Sequence, residues 1–184
     1  LSRMIKRIVC VIAACIIVFW SGRIYSVNLM QRKTDITYNY DEIEFQGYKL
    51  VLKEAHIYGK KEFEQRFNAE IPYIESVRVL CAGFTVTNNT GADIGWDEVM
   101  ELFNCGFQTD TWASSISPSV ERQMNIFDSE LFKAGQRQEI WFGTVMTEAS
   151  FKEKTWKNIY DMDYYYVFCI TPDKIKVKLD LVED

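Results

Sequence analysis

The 184-residue chain has room for one domain of ordinary size and a short appendage, and its 48% hydrophobic, 26% charged and 15% aromatic content is that of a globular protein. Its net charge of −5 conceals a division: residues 1–33 hold Arg3, Lys6, Arg7, Arg23, Arg32 and Lys33 and no acid, which leaves 15 basic against 26 acidic residues beyond them, a net of −11. A body that acidic repels phosphate backbones and anionic lipid surfaces, so nucleic acid is not an expected partner.

The first element in chain order is an apolar run, Ile8 to Trp20, thirteen residues without a polar side chain, preceded by Arg3, Lys6 and Arg7 and closed by Ser21, Gly22 and Arg23. A basic flank followed by an apolar segment with no amphipathic stripe predicts a targeting helix rather than a core helix. Residues 1–23 are read as a signal anchor, that is, a transmembrane or signal helix. The run reaches the roughly 17–25 residues of a span only if Ser21 and Gly22 are included and the flanking arginines snorkel. Two alternatives stay open. A cleaved signal peptide suits the length but lacks a small-x-small site after Trp20, and Ile12-Ala13-Ala14-Cys15 resembles a lipobox, which makes Cys15 a candidate lipidation site. Each reading places the rest of the chain outside the cytosol, as a single-pass or anchored protein of the cell membrane.

Residues 24–34 read as a juxtamembrane stalk, and residues 35–184 as one extracytoplasmic domain. Within it, Ile36 to Tyr40 predicts a short strand and Gly47 opens a longer one, Tyr48 to Tyr58. Lys60 to Phe67 reads as a helix with Phe63 and Phe67 on one face, ended by Pro72. Ser76 to Asn88 is the clearest strand, apolar enough to be covered on both faces, and Asn88-Asn89-Thr90-Gly91 is a turn signal. Trp96 to Phe103 has helical spacing but also admits a strand, Gly106 to Trp112 reads as strand, and Ala113 to Arg122 reads as a loop with Pro118. A single helical turn is conceivable in Asn125 to Phe132; a turn at Lys133 to Gln136 then leads into a strand from Gln138 to Met146. A short helix around Trp156 and two strands, Tyr164 to Ile170 and Lys174 to Leu181, complete the chain. Seven or eight short strands with one or two short helices and no βαβ rhythm predict a mainly β fold, an antiparallel β-sandwich.

The chain offers little chemistry. His56 is the one histidine, in a strand, where a satisfied structural role outweighs a general base. Serines 114, 115, 117 and 119 lack the strand–turn–helix elbow of a nucleophile. Cys81, Cys105 and Cys169 cannot all pair with one another, and no Cys/His spacing predicts zinc. Acids cluster at Asp93, Asp97, Glu98 and Glu101 and at Asp161 and Asp163; a carboxylate-dependent glycoside hydrolase built on Asp97 and Glu101 is the least favoured function. Trp96, Trp112 and Tyr165 are the candidate ligand-contact aromatics of a carbohydrate-binding module, against the reading of most rings as core. Asn88-Asn89-Thr90 fits a glycosylation sequon. No catalytic residue, cofactor or metal is expected. The favoured function is a non-enzymatic, membrane-tethered protein that binds a protein or cell-envelope partner.

Three features carry a resemblance: Phe84-Thr85-Val86-Thr87-Asn88-Asn89 closing a strand, Lys133-Ala134-Gly135-Gln136 entering one, and Trp156 followed by Tyr166-Val167-Phe168 and Pro172-Asp173-Lys174-Ile175-Lys176-Val177. With them the chain resembles an uncharacterised family of Gram-positive surface proteins anchored by an N-terminal signal or lipobox. The resemblance implies an immunoglobulin-like sandwich and an extracellular location; it implies no functional residues.

Overall fold

The computed structural model describes residues 3–30, 35–39, 42–71, 76–170 and 173–182, with side chains over 10–24 in the first of these segments. The chain divides into two compact units, Leu1–Thr34 and Asp35–Asp184. Tyr40, Pro72, Thr171 and Pro172, which entered the sequence reading as strand end, helix stop and turn, lie outside the described residues.

The first unit is the helix α1, Arg3–Met30, so the expected stalk is helical as far as Met30, and residues 31–34 lie outside the described part. Val11, Ile12, Ile16, Ile17, Val18, Phe19, Trp20 and Ile24 are between 53 and 72% exposed and occupy every side of the helix. Cys10 and Cys15 are exposed among them. Among the described residues no helix is long and apolar enough to cross a membrane.

The second unit is a mainly β, sandwich-like structure with a few helices. Its strands are β1 (Asp35–Tyr38), β2 (Ile43–Phe45), β3 (Tyr48–Gly59), β4 (Val77–Asn88), β5 (Ile94–Gly95), β6 (Gly106–Gln108), β7 (Ala113–Ser114), β8 (Leu131–Phe132), β9 (Arg137–Thr147), β10 (Tyr164–Cys169) and β11 (Lys174–Leu179). One sheet has the order β1-β11-β10-β6-β7, the other β2-β3-β4-β9, and β5 pairs with β8. Between them lie the helices α2 (Lys60–Phe67), α3 (Trp96–Leu102), α4 (Pro118–Met124) and α5 (Glu153–Lys157). That is more helix than the one or two elements expected.

The long strands follow their side-chain patterns. β4 is buried on both faces: Leu80, Ala82, Phe84 and Val86 point between the sheets, while Val79 and Cys81 belong to a second cluster. On β10, Tyr164 and Tyr166 are fully buried and Tyr165 faces the other way, half-buried. The sheets meet through rings: Phe84 stands 5.2 Å from Tyr166 and 5.6 Å from Phe168, and Phe142 5.0 Å from Tyr166. Buried aromatics of this kind contribute about 1.5–3 kcal/mol each by transfer and about 0.5–1.5 kcal/mol per ring pair.

Several expectations are corrected. The sandwich is not wholly antiparallel, because β1 pairs with β11 in parallel, from Asp35 opposite Lys174 to Tyr38 opposite Val177. These strands come from opposite ends of the domain, so no tight turn forces them antiparallel. Gly47 does not simply open a strand: Gln46 (φ 53°) and Gly47 (φ 82°) form a two-residue hairpin turn joining β2 to β3. Pro118 sits at the first turn of α4, and the helix covers 118–124 where a loop was expected. No helical turn occurs over 125–132. Asn88 is 0% exposed. Its Nδ2 donates to Ala92 O at 2.9 Å and Phe132 O at 2.8 Å, while Oδ1 accepts from Thr90 N and Oγ1. The sequon asparagine thus stitches two turns together and presents no free amide to a glycosyl donor.

Candidate functional site

α3 and α4 flank a cleft of about 440 Å³. α3 starts at Trp96 after the β5 strand; its buried Trp96 and Val99 hold it to the core while Asp97 and Glu101, one turn apart, remain exposed on the cleft side. α4 is pinned to β9 by Val120 and Met124, both buried, which reach so close to Gly143 that a Cβ there would lie 2.9 Å from Val120 Cγ1 and 2.8 Å from Met124 Cε. At its end Asn125 locks α4 to the strand: its Oδ1 accepts from Trp141 N at 2.8 Å and its Nδ2 donates to Trp141 O at 2.7 Å.

Trp96 is 7% exposed. It lies stacked between two rings, Phe127 at 3.8 Å and 4°, and Phe132 at 4.5 Å and 20°. Both faces are taken, so its contribution to the cleft wall is the ring edge. Its Nε1 is buried with no hydrogen-bond partner among the described residues. On the other side Glu121 Oε1 is likewise buried and unpartnered. Burial pushes the Glu121 carboxyl up to about 7, an effect that the neighbouring Arg122 only partly offsets. The cleft is lined by the exposed carboxylates of Asp97 and Glu101 on α3 and by Glu121 and Arg122 on α4.

The residues singled out from the sequence do not otherwise converge. Trp112 packs on Phe151 at 5.3 Å and Tyr164 at 6.4 Å, and Tyr165 lies under Lys176 Nζ at 4.6 Å. No ring contact joins Trp96, Trp112 and Tyr165, and they form no shared flat platform. Asp97 and Glu101 project from one helix, so these two do not face each other across the cleft as a glycosidase pair would. Asp93 Oδ1 instead accepts from Ala134 N at 2.8 Å, and Asp163 pairs with Lys178 at 2.7 Å. Ser114 Oγ bonds Thr144 Oγ1 at 2.9 Å and Ser117 Oγ bonds Ser119 Oγ at 3.2 Å. Cys10, Cys15, Cys81 and Cys105 are free thiols; burial raises Cys81 well above its ordinary value, and Cys105 Sγ donates to Phe168 O at 2.9 Å. Among the described residues no group of three His, Cys, Asp or Glu side chains is placed to hold a metal ion.

His56 is buried at 6% exposure, its Nε2 3.1 Å from Glu54 Oε2 and its ring stacked 5.0 Å from Tyr58. Glu54 also meets Arg66 at 3.5 Å, and Arg66 hydrogen-bonds the Tyr58 hydroxyl, which burial holds up at about 12. The histidine is a member of a structural network under α2. The residue that sequence reading missed is Glu121. Its signal was the spacing of Val120 and Met124 after Pro118, which marks a short helix with a buried face.

Neither a family model nor a curated protein matches the chain. Among solved structures it is similar to an uncharacterised β-sandwich protein from Clostridium difficile 630, at 11% identity and TM-score 0.49, over 81% of this chain and 97% of that one. It is also similar to a conserved hypothetical protein from Bacillus anthracis, at 7% identity and TM-score 0.45, over 72% of this chain and 87% of that one. Likenesses at this level carry no weight for function.

Proposed function

We propose that the chain is a non-enzymatic binding protein, tethered by its N-terminal helix to a membrane and presenting residues 35–184 on the extracytoplasmic side as an immunoglobulin-like sandwich to a protein or envelope partner. The observation that carries the tether is α1, whose apolar side chains over 11–24 are exposed on every side of the helix. An amphipathic helix would hide one stripe against its own domain; a helix apolar all round needs an apolar surrounding, worth about 25 cal/mol per Å² buried. The net −11 of the remaining chain supports a body that stands off from anionic lipid rather than lying on it.

Fractionation tests the tether. The full chain is expected in the membrane pellet after alkaline carbonate washing, and a chain lacking residues 1–34 in the supernatant. Protease added to intact cells should degrade the domain. Release of the full chain by carbonate, or complete protection in a single-membrane cell, would overturn the reading.

A further inference from the structure

We propose that Cys105 and Cys169 are a disulfide-forming pair that, outside the cytosol, joins the start of β6 to the end of β10. These strands are antiparallel, with Gly106 opposite Val167 and Phe107 opposite Tyr166. Continuing that register by one residue sets Cys105 opposite Phe168, in keeping with the Cys105 thiol donating to Phe168 O at 2.9 Å. Cys169 is then the diagonal neighbour, about 6 Å away between Cα atoms, inside the roughly 4.4–6.8 Å that a disulfide spans. The Phe168 oxygen belongs to the peptide unit that ends at Cys169 Cα, so the Cys105 sulfur lies within about 6 Å of that atom.

Diagonal neighbours in a regular ladder point to opposite faces, and the bulge in β10 removes that obstacle. Val167 faces Lys176 on β11, but Cys169 faces Ile175, one residue out of the regular register. Ile175 stands two residues before Val177, which is buried opposite Tyr166, so Cys169 comes to the inner face, where it packs against the core. Cys105 stands two residues before Phe107, also buried opposite Tyr166, and by the same count belongs to that face. A side-chain rotation then suffices to bring the sulfurs together. Burial and the nearness of Cys169 both hold the Cys105 thiol above its ordinary value. The chain entering Cys105 is already tied to β10, since Phe103 O accepts from Cys105 N at 2.9 Å and from the Tyr166 hydroxyl. Both cysteines are half-buried, and Cys105, at the end of the ladder, lines a hollow of about 380 Å³ through which an oxidant can reach it. Cys81, at 0% exposure on β4, has no such access.

The oxidant is a small-molecule or protein disulfide of the extracytoplasmic space, and for that supply alone the proposal rests on the placement above. One cysteine thiolate attacks a sulfur of that disulfide, forming a mixed disulfide and releasing one thiol. The second thiolate attacks the protein sulfur of the mixed disulfide and releases the other. The two protons of the pair pass through solvent to the released thiolates, and the oxidant gains the two electrons that the pair loses. Glutathione disulfide supplies this oxidant in vitro. The full chain in detergent micelles, treated with it, quenched by alkylation and digested, should yield peptides joined through Cys105 and Cys169 and lighter by two hydrogens. This link should exceed any other cysteine pairing by on the order of tenfold, with Cys81 alkylated only after unfolding. C169S should stop at a mixed disulfide of glutathione on Cys105. If C169S fails to fold, the unmodified chain still decides. Glutathione retained on both cysteines, both thiols left unoxidised, or a link from either to Cys81, Cys10 or Cys15, in a chain with native near-UV dichroism, would overturn the proposal. None of these results moves the fractionation outcome, so the two readings fall separately.

Discussion

Two short helices, α2 and α4, cover the same outer face of the β2-β3-β4-β9 sheet, and they do so in opposite electrostatic condition. Phe63 of α2 and Val120 and Met124 of α4 belong to one apolar cluster with Tyr58, Val79, Cys81 and Trp141. At α2 the acids have partners: Glu62 accepts from Gly59 N at 2.6 Å, Glu64 accepts from Ile71 N at 3.1 Å and meets Lys60 at 3.8 Å, and Arg66 reaches Glu54 at 3.5 Å. At α4 the acid that matters is left desolvated and unpartnered at Oε1. Equal apolar anchoring therefore accompanies unequal polar satisfaction. One helix has its acids satisfied; the other carries a desolvation penalty that its packing supports.

The largest effect expected from breaking this comparison is on the shared anchor. Phe63→Ala, at a side chain with 0% exposure, should lower stability by about 3–5 kcal/mol, read as a fall in the urea midpoint at constant slope. A loss under about 1 kcal/mol would mean that α2 is not held by this cluster.

The next effect separates the helices by sign. The Glu121 carboxyl titrates near 7 in the folded chain against 4.5 ordinarily, so the folded state keeps a proton that the unfolded state releases. Its contribution is neutral below about pH 4.5, and stability falls as pH rises between there and about 7, leaving a standing penalty above. Glu121→Gln should therefore stabilise the protein at about pH 8 by about 1–2 kcal/mol, a figure reduced for the group's partial exposure, and by nothing at about pH 4. A uniform gain at both pH values would show that the carboxylate's charge is not the cause.

The smallest effect tests the finished helix. Glu62→Ala removes the acceptor for Gly59 N at the start of α2 and should cost about 0.5–1 kcal/mol, read as a small fall in the urea midpoint. Stabilisation on this substitution would erase the contrast between the two helices.

The sequence by itself determined the elements whose side chains obey one periodicity and bury against many partners. The strands β3, β4, β9, β10 and β11 and the helix α2 were legible because alternation or i,i+4 spacing over six or more residues admits one placement of the apolar side chains. The apolar run at Ile8 to Trp20 was legible for the same reason, as a segment with no polar face at all. Short elements were not. β2, β5, β7 and β8 span two or three residues, and their strand character comes from the neighbour each pairs with.

Only the tertiary structure decided the rest. It paired the two ends of the domain as parallel neighbours, buried Asn88 where a glycan acceptor was conceivable, and closed both faces of Trp96 with rings distant in sequence. Above all it set Glu121 opposite Asp97 and Glu101. Desolvation belongs to a place and not to a residue type: a glutamate in a polar stretch of sequence is ordinary until packing removes its water and supplies no partner in exchange.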